Sequence, residues 1–145
     1  MNFKKFALRY IFKIVYIFAI GSIIPLSLAL DIEPKLSFFV KETSYLMLIA
    51  MILLLISVIG EFMNQGTLPK TLKSIGRMTL IPASIALVVV LIGKETLLIL
   101  IDRFGVGNLK IIIEYYLTKL PNAFILIISY LALGLLLYLL GKSMA

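Results

Sequence analysis

Four apolar runs, each close to 20 residues long, constrain this chain more than any other feature. A helix rises 1.5 Å per residue, so crossing about 30 Å of hydrocarbon takes roughly 20 apolar residues. The runs cover about 10–30, 45–63, 78–101 and 123–140. The first has an uncharged core over 14–30, with Lys13 placed to snorkel outward. Only Glu61 interrupts the second. The third is uncharged over 78–93, then carries Lys94 and Glu95 before continuing apolar to 101. Apolar residues make up 62% of the 145, above the soluble norm of about half, and a fold this small cannot bury so many. The expected fold class is an all-α integral membrane protein. One membrane domain, 1–145, holds four transmembrane helices in a bundle, with an amphipathic interfacial helix between helices 3 and 4.

That interfacial helix is read in NLKIIIEYYLTKLP, over about 108–120. Asn108 is its candidate cap and Pro121 its stop, and Lys110, Glu114 and Lys119 give it a charged face. Phe38 and Phe39 are expected as interface anchors, and Thr43 or Ser44 as the cap of helix 2. The first run is too long for a secretory h-region and no small-residue cleavage site follows it, so it reads as a retained helix.

Orientation follows from the basic residues in the flanks. Lys4, Lys5, Arg9, Lys13, Lys70, Lys73, Arg77 and Lys142 fall on one side, with Glu61 alone against them. The opposite side carries six basic and six acidic residues. The biased side is expected to be cytoplasmic, with both termini there. Residues 64–77 read as a connection, and its basic stretch LPKTLKSIGR at 68–77 is expected to meet anionic lipid or a partner through Lys70, Lys73 and Arg77. It has no aromatic residue for stacking on bases, so nucleic acid is not an expected partner.

Two near-repeats stand out. IIPLSLAL at 23–30 and LIPASIAL at 80–87 agree at five of eight positions, offset by 57. LLISVIGEFM at 54–63 and LLLYLLGKSM at 135–144 align Gly60 with Gly141 and Met63 with Met144, offset by 81. The unequal offsets, and the different depths expected for the two octets, favour shared packing demand over duplication. Gly21, Pro25 and Ala29 form one small-residue stripe, and Thr79, Ala83, Ala86 and Gly93 form another. Such stripes let helices approach closely in lipid, so helices 1 and 3 are expected to be the close-packed pair.

Ionisable residues within apolar runs are the natural functional candidates. Glu61 shares a helical face with Ala50 and Ser57. It reads either as an ion or proton site or as an interfacial carboxylate paired with Lys142, Arg9 or Arg77, and the second is preferred. Lys94 and Glu95 read as a ring of charge at an outer mouth or, preferably, as a helix running into headgroups. The chain has no Cys and no His, which removes disulfides, thiolate metal sites and the commonest general base. No Gly-rich phosphate loop, paired buried carboxylates or nucleophile–base pair is present, so no enzyme activity and no cofactor are expected.

FKKFALR at 3–9 resembles the N-terminal segment of large-conductance mechanosensitive channels, although bulky Ile, Phe and Tyr follow where small residues should. VVVLIGKETLLIL at 88–100 resembles a segment of phosphate-starvation-inducible four-helix membrane proteins. Neither stretch is long enough to assign a family. The leading expectation is a non-enzymatic, self-associating or accessory subunit of a larger membrane complex. Alternatives are an oligomeric ion channel or small transporter and, more weakly, a holin- or toxin-like permeabilising protein.

Overall fold

The computed structural model describes residues 2–30, 37–105, 107, 109–119 and 123–145. The described residues form six helices and no strand: α1 (Phe3–Leu30), α2 (Ser37–Gln65), α3 (Leu68–Ile92), α4 (Lys94–Arg103), α5 (Leu109–Lys119) and α6 (Phe124–Ser143). Four of them, α1, α2, α3 and α6, are long and apolar enough to cross a membrane.

The largest departure from expectation is at α3. The basic stretch 68–77 is not a connection but the first turns of this helix. Gly66, at φ 69°, ends α2, and its N–H donates to the Phe62 carbonyl at 2.9 Å, a left-handed closure that glycine makes without steric cost. Thr67 is extended at the N-cap and Pro69 sits in the first turn, where its missing N–H is no loss. Lys and Arg are good helix formers, so charge alone does not break this segment. The other end is also earlier than expected. Gly93, at φ 86°, stops α3, and α4 restarts at Lys94 as a separate helix. Helix α2 likewise starts at Ser37, so neither Thr43 nor Ser44 caps it. The side chains of Phe38 and Phe39, and residues Asn108 and Pro121, lie outside the described residues.

The long helices pack side by side, with the broadest contacts between α3 and α6 and between α1 and α2. Both pairs are antiparallel. Gly76 faces Tyr138 while Gly141 faces Lys73, and Phe12 meets Gly60 while Ala19 and Ala50 line one groove. Helices α1 and α3 run parallel, touching at Tyr16–Thr79 and Gly21–Pro82. Helices 1 and 3 are therefore neighbours but not the closest pair. The two octets also sit nearly level. Gly21 meets Pro82, so Pro25 lies about one turn, roughly 6 Å, further along.

The centre is apolar, built from Ile20, Ile24, Ile75, Met78, Ala83, Ala123 and Ile127, with Tyr16 and Tyr130 among them. The Tyr16 hydroxyl lies 2.6 Å from Thr79 Oγ1, whose own proton goes to the Ile75 carbonyl at 2.8 Å, so Tyr16 is the donor. Tyr130 donates to the Ile20 carbonyl at 3.2 Å. Beyond the long helices, α4 and α5 pair through Lys110–Asp102 at 2.7 Å and Lys94–Glu114 at 3.4 Å. The Asp102 carboxylate, by hydrogen bond and by charge, holds the Lys110 ammonium above its ordinary range.

Candidate functional site

The start of α1, the α2–α3 turn and the end of α6 lie at one end of the molecule, and its polar chemistry gathers just below that end. Glu61 is one turn from the end of α2 and fully buried, on the face that also buries Ala50 and Ser57. A buried carboxylate is tolerable only with partners, and here one oxygen collects all of them. Gln65 Nε2 donates to Oε1 at 2.8 Å, Ser74 Oγ donates to the same atom, and Lys13 Nζ stands 3.8 Å away. The second oxygen, Oε2, is buried with no hydrogen-bond partner. Three helices thus converge on one carboxylate: α1 supplies Lys13, α2 supplies Gln65 and α3 supplies Ser74. The expected partners Lys142, Arg9 and Arg77 do not hold it. Lys13 takes that place because Phe12 seats against Gly60 and brings its neighbour level with Glu61.

Directly beside this knot is a cleft of about 300 Å³ lined by Lys13, Gln65, Lys70, Lys73, Ser74, Arg77 and Met78. Lys70, Lys73 and Arg77 follow one another at helical spacing on α3. Arg77 and Lys73 also reach α6, at 5.3 Å and 5.8 Å from the centre of the Tyr138 ring, within cation–π range. Among the described residues no ion pair neutralises Lys70, Lys73 or Arg77, whereas Glu61 answers Lys13.

The other candidates fall elsewhere. Ser57 donates to the Leu54 carbonyl of its own helix at 2.8 Å. Lys94 pairs with Glu114 on α5, and Glu95 is exposed. Gly21 and Ala83 are at helix contacts, Ala86 is half-buried against the core, and Pro25 is exposed along the α1–α3 groove. The side chain of Ala29 lies outside the described residues.

Sequence reasoning missed Gln65 and Ser74, the two donors that satisfy Glu61. It also missed Gly76, Gly134 and Gly141, which let α3 and α6 meet backbone to backbone. A Cβ at Gly76 would stand 2.5 Å from the Tyr138 nitrogen, and one at Gly141 would stand 2.6 Å from the Lys73 nitrogen. The signal for Ser74 was available. Once 68–77 is read as helix, Ser74 falls one position after Lys73, on the side facing the end of α2.

Comparison with protein-family models, curated proteins and solved structures finds no match.

Proposed function

We propose that this chain is a non-enzymatic multi-pass membrane protein, a self-associating or accessory subunit of a larger membrane complex, with both termini cytoplasmic. The observation that carries the reading is the peripheral seat of α2. It is held along one stripe, Ala50, Ser57, Gly60 and Glu61, while Leu48, Met51, Leu55, Ile59 and Met63 face outward, each more than half exposed. A helix held on one face leaves the others for lipid or for another protein, and lipid as solvent gives no reason to hide them. In this reading α4 and α5 lie at the outer membrane interface, and the paired charges between them are compatible with headgroups. The test is the mass of the assembly taken from native membranes without detergent, by native mass spectrometry. A species heavier than the 16.2 kDa chain, containing further copies or another protein, supports the proposal. A lone chain with bound lipid only would overturn it.

The alternative of a channel or transporter draws on one observation, the run of buried and half-buried polar groups from Glu61 and Ser74 to Tyr16, Thr79 and Tyr130. The run ends there. One turn further on, Ile24, Ala83 and Ile127 fill the centre, with Ala83 and Ile127 fully buried. An apolar plug of this kind opposes a path within one chain, and the subunit reading is preferred. A cation or proton flux in proteoliposomes that Glu61→Gln abolishes without unfolding would reverse that preference.

A further inference from the structure

We propose that the cleft between α1 and the start of α3 is a binding site for a phosphate group, held by Lys70, Lys73 and Arg77 with Lys13 at its rim. Three observations point there. First, the charge is unbalanced. Glu61 offsets Lys13, but three cations within about two turns of α3 have no carboxylate partner among the described residues. Second, three of the four cations are held by contacts within the chain. Tyr138 of α6 sits under both Lys73 and Arg77, and Lys13 is fixed by Glu61, so less side-chain entropy is lost on binding. Third, the open cleft that the cations help to line has a volume of about 300 Å³, the lower end of small-ligand sites and enough for a phosphate with its substituent. The guanidinium of Arg77 offers paired N–H donors, and the ammonium groups add point charge, the combination that suits a tetrahedral oxyanion.

Glu61 fits this site as a positioning residue. Its Oε1 takes up Lys13, Ser74 and Gln65, three of the residues that line the cleft. The carboxylate is fully buried behind them and does not face the bound anion. The site lies just below the α2–α3 turn, where a helix crossing a membrane leaves the hydrocarbon. The phosphate can therefore come from an anionic phospholipid headgroup or from phosphate free in the water. The proposal is separate from the subunit reading, because a solitary chain would hold the same anion.

The test uses the purified full chain in a neutral detergent, with the thermal midpoint followed by circular dichroism. The probes are phosphatidylglycerol, phosphatidylcholine and inorganic phosphate. Saturable stabilisation by phosphatidylglycerol but not by phosphatidylcholine or inorganic phosphate assigns the site to a headgroup. Saturable stabilisation by inorganic phosphate that competes with the lipid assigns it to the free anion. In either case Lys73→Gln/Arg77→Gln should weaken binding about thirtyfold, at the usual contribution of a basic residue near anionic lipid. Lys4→Gln/Lys5→Gln removes equal charge outside the cleft and should leave binding unchanged. If the first double variant does not fold, Lys70→Gln on the exposed side of α3 should still weaken binding about fivefold. Absence of saturable stabilisation by any probe, or equal loss in the Lys4/Lys5 variant, would overturn the proposal.

Discussion

The α3–α6 pair and the α1–α2 pair close in different ways. Between α3 and α6 the backbones themselves touch. Gly76 and Gly141 bring backbone against backbone, and Gly134 makes room for the Leu80 side chain. Between α1 and α2 the contact is made by side chains, with Phe12 lying over Gly60 and Lys13 reaching Glu61. The first seam gains from dispersion along two close backbones. The second has a single glycine and relies on a polar anchor shared with α3. The near-repeats of the sequence fall at matching places in the two pairs. Phe12 against Gly60 corresponds to Pro69 against Gly141, at offsets of 57 and 81. The offsets differ by 24, close to the length of chain that α4 and α5 add between the second pair of helices. One spatial plan is thus closed by backbone contact in one pair and by a buried carboxylate in the other.

Glycine changes break the comparison most sharply. Gly76→Ala places a Cβ against the Tyr138 and Gly134 backbones, which cannot rotate away. We expect a loss at the upper end of overpacking costs, about 3 kcal/mol, read by thermal or denaturant unfolding in detergent. In Gly60→Ala the atoms nearest the new Cβ belong to the Phe12 ring, a side chain rather than a backbone, and the cost should be smaller, about 1 kcal/mol. Equal losses at the two sites would remove the distinction between the seams.

Next in size is Ala83→Leu. Ala83 is fully buried in the core, and the added volume has to displace neighbours, at about 1–3 kcal/mol. Gly21→Leu belongs with it, because a Cβ there already touches Pro82 at 3.4 Å. Wild-type melting in either variant would place those faces against lipid.

A smaller effect is expected at Glu61. Glu61→Gln keeps the shape and hydrogen-bonding oxygen but leaves Lys13 unpaired. Because the Lys13 side chain is 30% exposed, water offsets part of that loss, and about 1 kcal/mol is expected. Glu61→Leu strands Ser74 and Gln65 as well and should cost more. The reverse order would mean that the carboxylate is not an anchor.

The smallest effect concerns α4 and α5. The Lys110 value is raised in the folded chain by Asp102. The contribution is therefore fully present below the ordinary lysine value of 10.5 and is lost as pH rises through the higher folded value. Protection of the α4 and α5 amides, taken relative to their base-catalysed intrinsic exchange, should fall only in that alkaline range, and Lys110→Ala should abolish the step.

Much of this was legible in the amino acids. The four apolar runs carry their own length criterion, and the seven-and-four spacing of Ala50, Ser57 and Glu61 put them on one face, which the structure buries. The start of α3 was not legible, because Lys70, Lys73 and Arg77 resemble a solvated connection when no neighbouring helix is known. The Gly76–Gly141 seam was hidden for a related reason. A glycine's value at a helix contact depends on what faces it, and single glycines seven residues apart have no hydrophobic signature of their own. Gln65 and Ser74 were missed because their role exists only when α2 and α3 fold back at Gly66.

In the proposed arrangement the chain makes four crossings, with α1's start, the α2–α3 turn and α6's end on one side of the membrane. The chain has no cysteine, so single cysteines report on location without background. Lys4→Cys and Thr67→Cys mark one end, and Phe104→Cys, 83% exposed beside α4, marks the other. With a membrane-impermeant maleimide on intact cells expressing the chain, Phe104→Cys should label at once. Lys4→Cys and Thr67→Cys should label only after permeabilisation. Labelling of Lys4→Cys and Phe104→Cys from the same side of the membrane would contradict the account.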